Sequence, residues 1–283
     1  MVNYGGLPKE YSSFGSAAIA VLPIPYDGTS TWGKGADNGP AALIEASANM
    51  ELYDIETHSE VYKRGIVTVE PVKEKKSPEA MVAAGKKRVS ELLNAGKFVV
   101  TLGGEHSISA GPIYAHVEKY PRMSVLQIDA HSDLRSEYHG SKHNHACIMA
   151  RVQEKCPIAQ VGIRSMDSSE RQNMDTKRVV FAHQLQEPGW QERVLKLLTP
   201  EVYVTIDLDA FDSSIMPSTG TPEPGGMDWY QVTGLLKKVA ASKRIVGFDV
   251  VELAPNPQDK APDFLASKLI YTLLSMIFEG EQK

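Results

Sequence analysis

Three ligand-capable side chains stand at alternate positions where an apolar run ends: Asp129, His131 and Asp133 in VLQIDAHSD, residues 125–133. A second run, VYVTIDLDAFD over 202–212, delivers Asp207 and Asp209 at the same spacing, with Asp212 three residues further on. A third, FVVTLGGEHS over 98–107, ends in Glu105 and His106. The runs read as buried parallel strands, and extended backbone at this spacing puts Asp129, His131 and Asp133 on one side of the chain. Ionisable groups at the end of a buried strand are costly unless something compensates them, and a metal ion is the simplest compensator. Asp129, Asp133, Asp207, Asp209, His106 and His131 offer carboxylates and imidazoles but no thiolate, a hard set suited to manganese, iron or magnesium rather than structural zinc. Six side chains exceed the needs of one compact site, whereas two ions about 3.5 Å apart share carboxylate bridges. Such a pair makes water acidic enough to supply hydroxide near neutral pH, and hydrolysis is the natural product.

Blander explanations cover single residues but not the set. One Asp or His at a strand end is ordinarily a cap or a surface group. Three alternating ligands at one strand end, repeated as a pair at another, is not accounted for that way. Gly103-Gly104 fits any tight strand exit and lacks dinucleotide or P-loop spacing. Cys147 has no evident base and reads as a small buried residue rather than a nucleophile.

The elements that must position these groups follow from the pattern of apolar runs and breakers. Strand candidates occur at 17–22, 65–69, 98–102, from 125, 159–163, 179–182, 202–206 and 245–248. Helices are expected from Pro40, over 77–93, 109–119, 146–154, 190–198, 228–239 and 264–278, with Ser77 and Asp228 as caps and Gly96 as a stop. Long Pro/Gly loops run over 23–40 and 217–226. Strands interspersed with helices, and no composition break, predict one α/β domain over 1–283 with a largely parallel sheet, preceded by an irregular arm at 1–15. Three ligand-bearing strand ends then share one edge of that sheet, where open α/β folds place their chemistry.

Composition narrows the class. A net charge of −5, from 30 basic and 35 acidic side chains, gives no general pull toward nucleic acid or anionic membrane. Two cysteines make no disulfide framework, and neither a signal pattern nor an uninterrupted apolar span is present. The expectation is a soluble cytoplasmic protein.

With these residues in view, the sequence resembles the ureohydrolase family, the arginases and agmatinases, and is most similar to agmatinase. GGEHS at 103–107 matches the family's GG(D/E)HS, DAHSD at 129–133 its DAHxD, and IDLDAFD at 206–212 its (S/T)xDxDxxDP region, with PYDG at 25–28 and DVVEL at 249–253 in family order. The resemblance spans about 17–278. It implies a three-layer α/β/α sandwich around an eight-stranded, mainly parallel sheet and two manganese ions per chain. His106, Asp129, Asp133 and Asp207 would hold one ion, and Asp129, His131, Asp207 and Asp209 the other. It further implies that His145 transfers protons, that Glu252 orients a guanidinium, and that Asp133 belongs to the catalytic groups as well as to the ligands. A guanidinium offers parallel donors to a carboxylate that also compensates its charge, and an imidazole of ordinary pKa, about 6.5, suits the proton step. The implied partners are a small cationic guanidino substrate and further copies of the chain, as a trimer or hexamer.

The loop 133–147 resembles the agmatinase version and lacks the arginase pattern that grips an amino-acid head. Agmatine, hydrolysed to putrescine and urea in polyamine biosynthesis, is the expected substrate. His139 in place of Glu and Asn144 in place of Ser keep 4-guanidinobutanoate, another guanidino acid, arginine and guanidine as alternatives. They also motivate a reading of another class, a metal-bound assembly or regulatory protein without turnover. Ser213 stands where the family has Pro, and Asp263 near a common Thr. Glu137 and Glu223 are candidates for the substrate's distal amine, although Arg135 and Glu137 also read as a salt-bridged or solvent-facing pair. His139 and His143 read as entrance or hydrogen-bonding groups rather than a further metal site. Tyr26, Trp32 and Trp229 are candidates for a channel or an interface. Tyr4, Leu7, Tyr11 and Phe14 make the arm a candidate oligomer contact.

Overall fold

The computed structural model describes residues 2–279. Eight strands, β1 (Ile19–Ile24), β2 (Ile66–Thr68), β3 (Phe98–Gly103), β4 (Ser124–Ile128), β5 (Ile158–Ile163), β6 (Val179–Phe181), β7 (Glu201–Asp207) and β8 (Arg244–Val251), form one sheet in the order β2-β1-β3-β8-β7-β4-β5-β6. Every pairing is parallel. The helices are α1 (Lys9–Ser12), α2 (Gly39–Ser47), α3 (Pro78–Asn94), α4 (Ala110–Lys119), α5 (Ile148–Val152), α6 (Trp190–Leu197), α7 (Trp229–Ser242) and α8 (Ala261–Ile277).

Strand alternation sorts the core into two layers. Ile19, Val21, Val202 and Val204 share one apolar cluster with residues of α2, α6, α7 and α8. Ala20, Leu22, Val99 and Tyr203 share the other with residues of α3, α4 and α5. A sheet covered on both faces needs strands that are predominantly apolar, which explains why these read as near-continuous rather than alternating runs. The result is the expected α/β/α sandwich. Among the described residues no helix is long and apolar enough to cross a membrane.

Local signals set the helix ends. Ser77 accepts a hydrogen bond from the Ala80 amide at 3.1 Å and Pro78 fills the first turn of α3. Asp228 and Gln231 exchange bonds at the start of α7, at 2.7 and 3.0 Å. Helix α8 starts at Ala261, three residues before the expected Phe264, because Pro262 occupies its first turn. The helix expected over 146–154 is shorter, with a 3-10 turn at His145–Cys147 leading into α5.

Residues 2–15 are more ordered than the sequence suggests. Tyr4 is fully buried and its hydroxyl donates to Ser267 O at 2.7 Å, while Asn3 Nδ2 donates to Ile66 O at 3.0 Å along β2. Leu7 is buried as well and Tyr11 packs against the same core, so three of the arm's four apolar groups are engaged by the chain itself, whereas Phe14 is 46% exposed.

A candidate dinuclear metal centre at the sheet edge

The C-terminal ends of four neighbouring central strands, β3, β8, β7 and β4, converge on one crevice. The ligand-bearing segments are turns, not the extended chain expected. Strand β4 stops at Ile128, and Asp129 Oδ1 accepts the amide of His131 at 2.6 Å. Asp207 Oδ1 likewise accepts the amide of Asp209 at 3.0 Å, opening the 3-10 turn Leu208–Ala210. A carboxylate bonded two residues ahead curls the backbone, so turn geometry rather than strand pleat gathers these groups. Asp133 and Glu252 adopt left-handed φ values of 53° and 69°, uncommon for non-glycine residues and concentrated where function over-determines the backbone. At the exit of β3, a Cβ on Gly104 would lie 1.9 Å from Tyr26 O, so only glycine lets this segment pass.

His106 Nδ1 lies 3.0 Å from Asp133 Oδ2, 3.1 Å from Asp129 Oδ2 and 3.2 Å from Asp207 Oδ2. His131 Nδ1 lies 2.9 Å from Asp209 Oδ2 and 3.7 Å from Asp129 Oδ1. Two compact ligand groups result, His106/Asp129/Asp133 and Asp129/His131/Asp209, with Asp129 common to both. Asp207 reaches the first group through Oδ2, whereas its Oδ1 is committed to the Asp209 amide.

The electrostatics are those of a site short of positive charge. Burial and then the charge of Asp209 raise Asp129, burial and Asp209 raise Asp207 well above the carboxylate range, and burial with Asp129 pushes Asp133 up to about 7. Burial opposes charging of His131, yet Asp209 and its neighbours push it up to about 11. Burial likewise opposes charging of His106, but the close carboxylates of Asp129, Asp133 and Asp207 raise it well above its usual value. Only Asp209 is lowered, where His131 and the Ala130 amide outweigh burial. His106 Nδ1 is buried without a satisfying hydrogen bond while aimed at three carboxylates. That donor set fits divalent cations, which replace the missing charge and take the orphaned nitrogen.

Supporting residues hold this set in place. His106 Nε2 is 2.9 Å from Thr205 Oγ1, which donates to Asp249 Oδ1 at 2.6 Å, and Tyr203 donates to the other Asp249 oxygen at 2.8 Å. With the Thr205 proton committed to Asp249, the hydroxyl accepts from Nε2–H, leaving Nδ1 to face the carboxylates. Gln127 Nε2 donates to Asp129 Oδ2 at 2.7 Å, and its own carbonyl accepts from Gln160 Nε2 at 2.5 Å. Arg164 donates to five carbonyls: Asp209 at 2.6 Å, Glu223 at 2.8 Å, Pro224 at 3.0 Å, and Phe211 and Gly162 at 3.3 Å. Sequence reading missed all of these roles. Buried Gln127 and Gln160, paired in register on β4 and β5, were a visible signal because polar residues are rare inside parallel strands.

A cavity of about 300 Å³ opens above the ligands, lined by His145 and Glu252 as well as the metal-capable side chains. Glu252 Oε1 accepts the His106 amide at 2.7 Å. Burial and then Glu105 raise its pKa well above the usual carboxylate range, so a buried guanidinium is a suitable partner. Burial, followed by the charges of His106 and His131, pushes His145 down to about 4, below the ordinary value expected from sequence. At the rim, Arg135 pairs with Asp167 at 3.6 Å and Glu170 at 3.8 Å, not with Glu137. Glu170 is itself buried and accepts from the Ser132 hydroxyl and from the Leu134 amide at 2.8 Å. Glu223 reaches to 3.8 Å from His131 Nε2.

Several candidates fall elsewhere. His139, Asn144 and Glu137 are not among the residues lining the cavity. Asn144 caps the turn before α5, accepting the Ala146 amide at 3.1 Å as a Ser would, and His139 is exposed against Tyr138. Neither departure from the family pattern therefore touches the ligands. His143 joins no metal-capable group among the described residues. Asp212 serves the backbone, accepting amides of Ser214, Gly225 and Gly226. Tyr26 is buried, Trp229 packs against the core, and Trp32 is 83% exposed. Asp263 is buried at the start of α8 and pairs with Lys260 at 3.0 Å.

Comparison with known proteins gives concordant matches. The family model described as "Arginase family" matches residues 17–275. The N(1)-aminopropylagmatine ureohydrolase of Synechocystis sp. is 37% identical, over 98% of this chain and 96% of that protein. The agmatinase of Pyrococcus horikoshii is 31% identical over 92% of each chain. The crystal structure of agmatine ureohydrolase of Thermoplasma volcanium superposes with a TM-score of 0.89 at 28% identity, covering 100% of this chain and 96% of that one.

Proposed function

The chain belongs to the arginase family and is a ureohydrolase, a C–N hydrolase of guanidino compounds, and from that premise we propose that it converts agmatine to putrescine and urea using two manganese ions. His106, Asp129, Asp133 and Asp207 hold one ion, and Asp129, His131, Asp207 and Asp209 the other. The observation that carries this reading is the pair of ligand groups sharing Asp129 beneath a cavity that also receives Glu252 and His145. When bound, the cations supply Lewis acidity that makes water a nucleophile near neutral pH.

The chain's own groups do the rest. Glu252 receives the substrate guanidinium and compensates its charge in a buried setting. Asp133, which lines the cavity, accepts a hydrogen bond from the attacking water. Water oxygen bonds to the guanidinium carbon, the bond from that carbon to the alkyl-bearing nitrogen breaks, and the departing nitrogen receives both water protons, one by way of Asp133 and one carried by His145. The products are urea and an alkylammonium, so atoms and charge balance. Asp167 and Glu223 at the rim favour a cationic tail, whereas the exposed Glu137 lies away from the cavity lining.

A second reading, N1-aminopropylagmatine, is favoured by those same two acids, since its tail carries two amines and agmatine's only one. Three relatives of that name are 37 to 38% identical, although that of Thermococcus kodakarensis is 31% identical, level with the agmatinase of Pyrococcus horikoshii. Free, buried Cys147 and Cys156 support a cytoplasmic location, and exposed Trp32, Ile55 and Tyr230 support a homo-oligomer, which light scattering tests.

The deciding experiment is urea release from manganese-loaded protein with agmatine, N1-aminopropylagmatine, arginine, 4-guanidinobutanoate, 3-guanidinopropanoate and guanidine. The highest kcat/KM should fall on agmatine. A higher value for the aminopropyl compound selects the second reading, and a higher value for a guanidino acid, arginine or guanidine overturns both.

A further inference from the structure

Behind His145 a chain of contacts runs inward from partly buried Thr29 to a buried residue with no ligand role. Glu105 is fully buried at the exit of β3. Its Oε2 accepts the Ser107 amide at 2.8 Å. Its Oε1 accepts the Ser107 hydroxyl at 2.9 Å, the Thr29 amide at 3.2 Å and the Thr29 hydroxyl at 2.9 Å. Thr29 Oγ1 in turn accepts the backbone amide of His145 at 2.9 Å and lies 3.1 Å from His145 Nδ1.

A threonine hydroxyl has one proton. Four donors surround the Glu105 carboxyl, two of them amides, the setting of a carboxylate, and an ionised Oε1 can only accept, so it takes the Thr29 proton as well as the Thr29 amide. Thr29 then has only lone pairs to offer His145, and the 3.1 Å contact is possible in neutral imidazole only if Nδ1 carries the hydrogen. Nε2 has no hydrogen-bond partner among the described residues and is left bare on a ring that lines the cavity. The arrangement mirrors the Asp249–Thr205–His106 chain with the nitrogens exchanged: there the threonine takes Nε2–H and frees Nδ1 for a cation.

We propose that Thr29 and Glu105 are positioning residues that hold His145 as the Nδ1–H tautomer, so that Nε2 takes the proton from the attacking water and delivers it to the departing amine nitrogen. The catalytic half of this statement rests on the proton role assigned to His145 above; the tautomer does not. Thr29 reaches the site from the loop after β1 and contacts neither ligand group, which separates its effect from metal binding.

Long-range ¹H–¹⁵N correlation on histidine-labelled protein, with the His145 signals identified by their loss in His145→Gln, reads the tautomer directly. The unaltered protein should show a protonated Nδ1 and a bare Nε2, and a protonated Nε2 overturns the proposal before any variant is made. Thr29→Val should release the constraint and shift the ring toward Nε2–H, whereas Thr29→Ser should retain Nδ1–H. With two manganese ions still bound, Thr29→Val should lower kcat on the order of 100-fold, with KM within about threefold and near-recovery in Thr29→Ser. Unchanged kcat in Thr29→Val, or equal losses in the Val and Ser variants, also overturns it. A correct tautomer in a protein that releases no urea from any guanidine defeats the proposed function instead, so the two failures are distinguishable.

Discussion

Thr205→Val tests whether the metal centre depends on groups that never touch the metal. The hydroxyl it removes accepts from His106 Nε2 at 2.9 Å and donates to Asp249 at 2.6 Å, both deep in the sheet. Valine matches threonine in shape and leaves no cavity, so the change isolates the hydrogen bonds. Two buried polar groups lose their partner, the imidazole N–H and one Asp249 oxygen, and each unsatisfied group costs about 1–3 kcal/mol. Tyr203 still donates to the other Asp249 oxygen, which places the folding loss toward the lower part of that range. Metal affinity has a separate signature, because losing the group that orients a metal-bound histidine weakens binding about 10- to 100-fold, or about 1.4–2.8 kcal/mol. Manganese titration of metal-free protein by calorimetry should show one of two sites weakened by that factor in Thr205→Val and neither in Thr205→Ser. Circular dichroism confirms the fold under the same conditions. Two full-affinity sites in a folded Thr205→Val protein would refute the orienting role of the Thr205–Asp249 pair.

Further expectations follow from other parts of the structure. His116 is fully buried against Tyr203, and burial pushes it down to about 4. Because the folded value lies below the unfolded one of about 6.5, its contribution is intact above pH 6.5 and is lost as pH falls toward 4. The loss amounts to about 3 kcal/mol, and denaturant melts of wild type and His116→Phe should diverge in pH slope across that window. Arg164→Met frees the five carbonyls that tie Asp209, Phe211 and the Glu223 loop together, and should cost about 2–3 kcal/mol by thermal melt. Arg164→Lys should recover little, because an ammonium cannot span that fan of acceptors; a lysine variant of wild-type stability would contradict this. Asp167→Asn and Glu223→Gln should each raise KM for agmatine several-fold with little change in kcat, and the effect should shrink in high salt. Unaltered KM in both would remove the rim acids from tail recognition.

The sheet and the clustering of the metal-capable side chains were legible because they rest on one-dimensional signals. All eight strands fall where apolar runs lie, since a strand covered on both faces tolerates few of the polar residues a surface strand carries. The candidate ligand set could be drawn up because hard-metal chemistry restricts residue types. The backbone path was not, because Asp129 and Asp207 bond amides two residues ahead and turn segments that alternation alone draws as extended. Thr29 and Glu105 stand 76 residues apart, and Thr205 and Asp249 44 apart, separations at which an unremarkable hydroxyl carries no local pattern. Arg164 was invisible as a functional residue because its partners are carbonyls, which every residue has. The suspected effect of Asn144 dissolved for a related reason: a cap depends on a side-chain oxygen, which Asn supplies as well as Ser.

The place of β8 in the sheet has a consequence for biosynthesis. It is the last strand to be synthesised, yet it lies between β3 and β7 and joins β2-β1-β3 to β7-β4-β5-β6. Before it inserts, His106 belongs to one half-sheet and Asp129, His131, Asp133, Asp207 and Asp209 to the other, each half with a bare edge open to wrong pairings. A chain stopped before Arg244 carries every metal ligand but should not bind two cations, and tight stoichiometric manganese uptake by such a fragment would contradict this. Ions captured by the joined halves stabilise only that state by mass action. Metal uptake should therefore follow the insertion of β8, and scarcity of the ion would leave newly made chains in their least protected form.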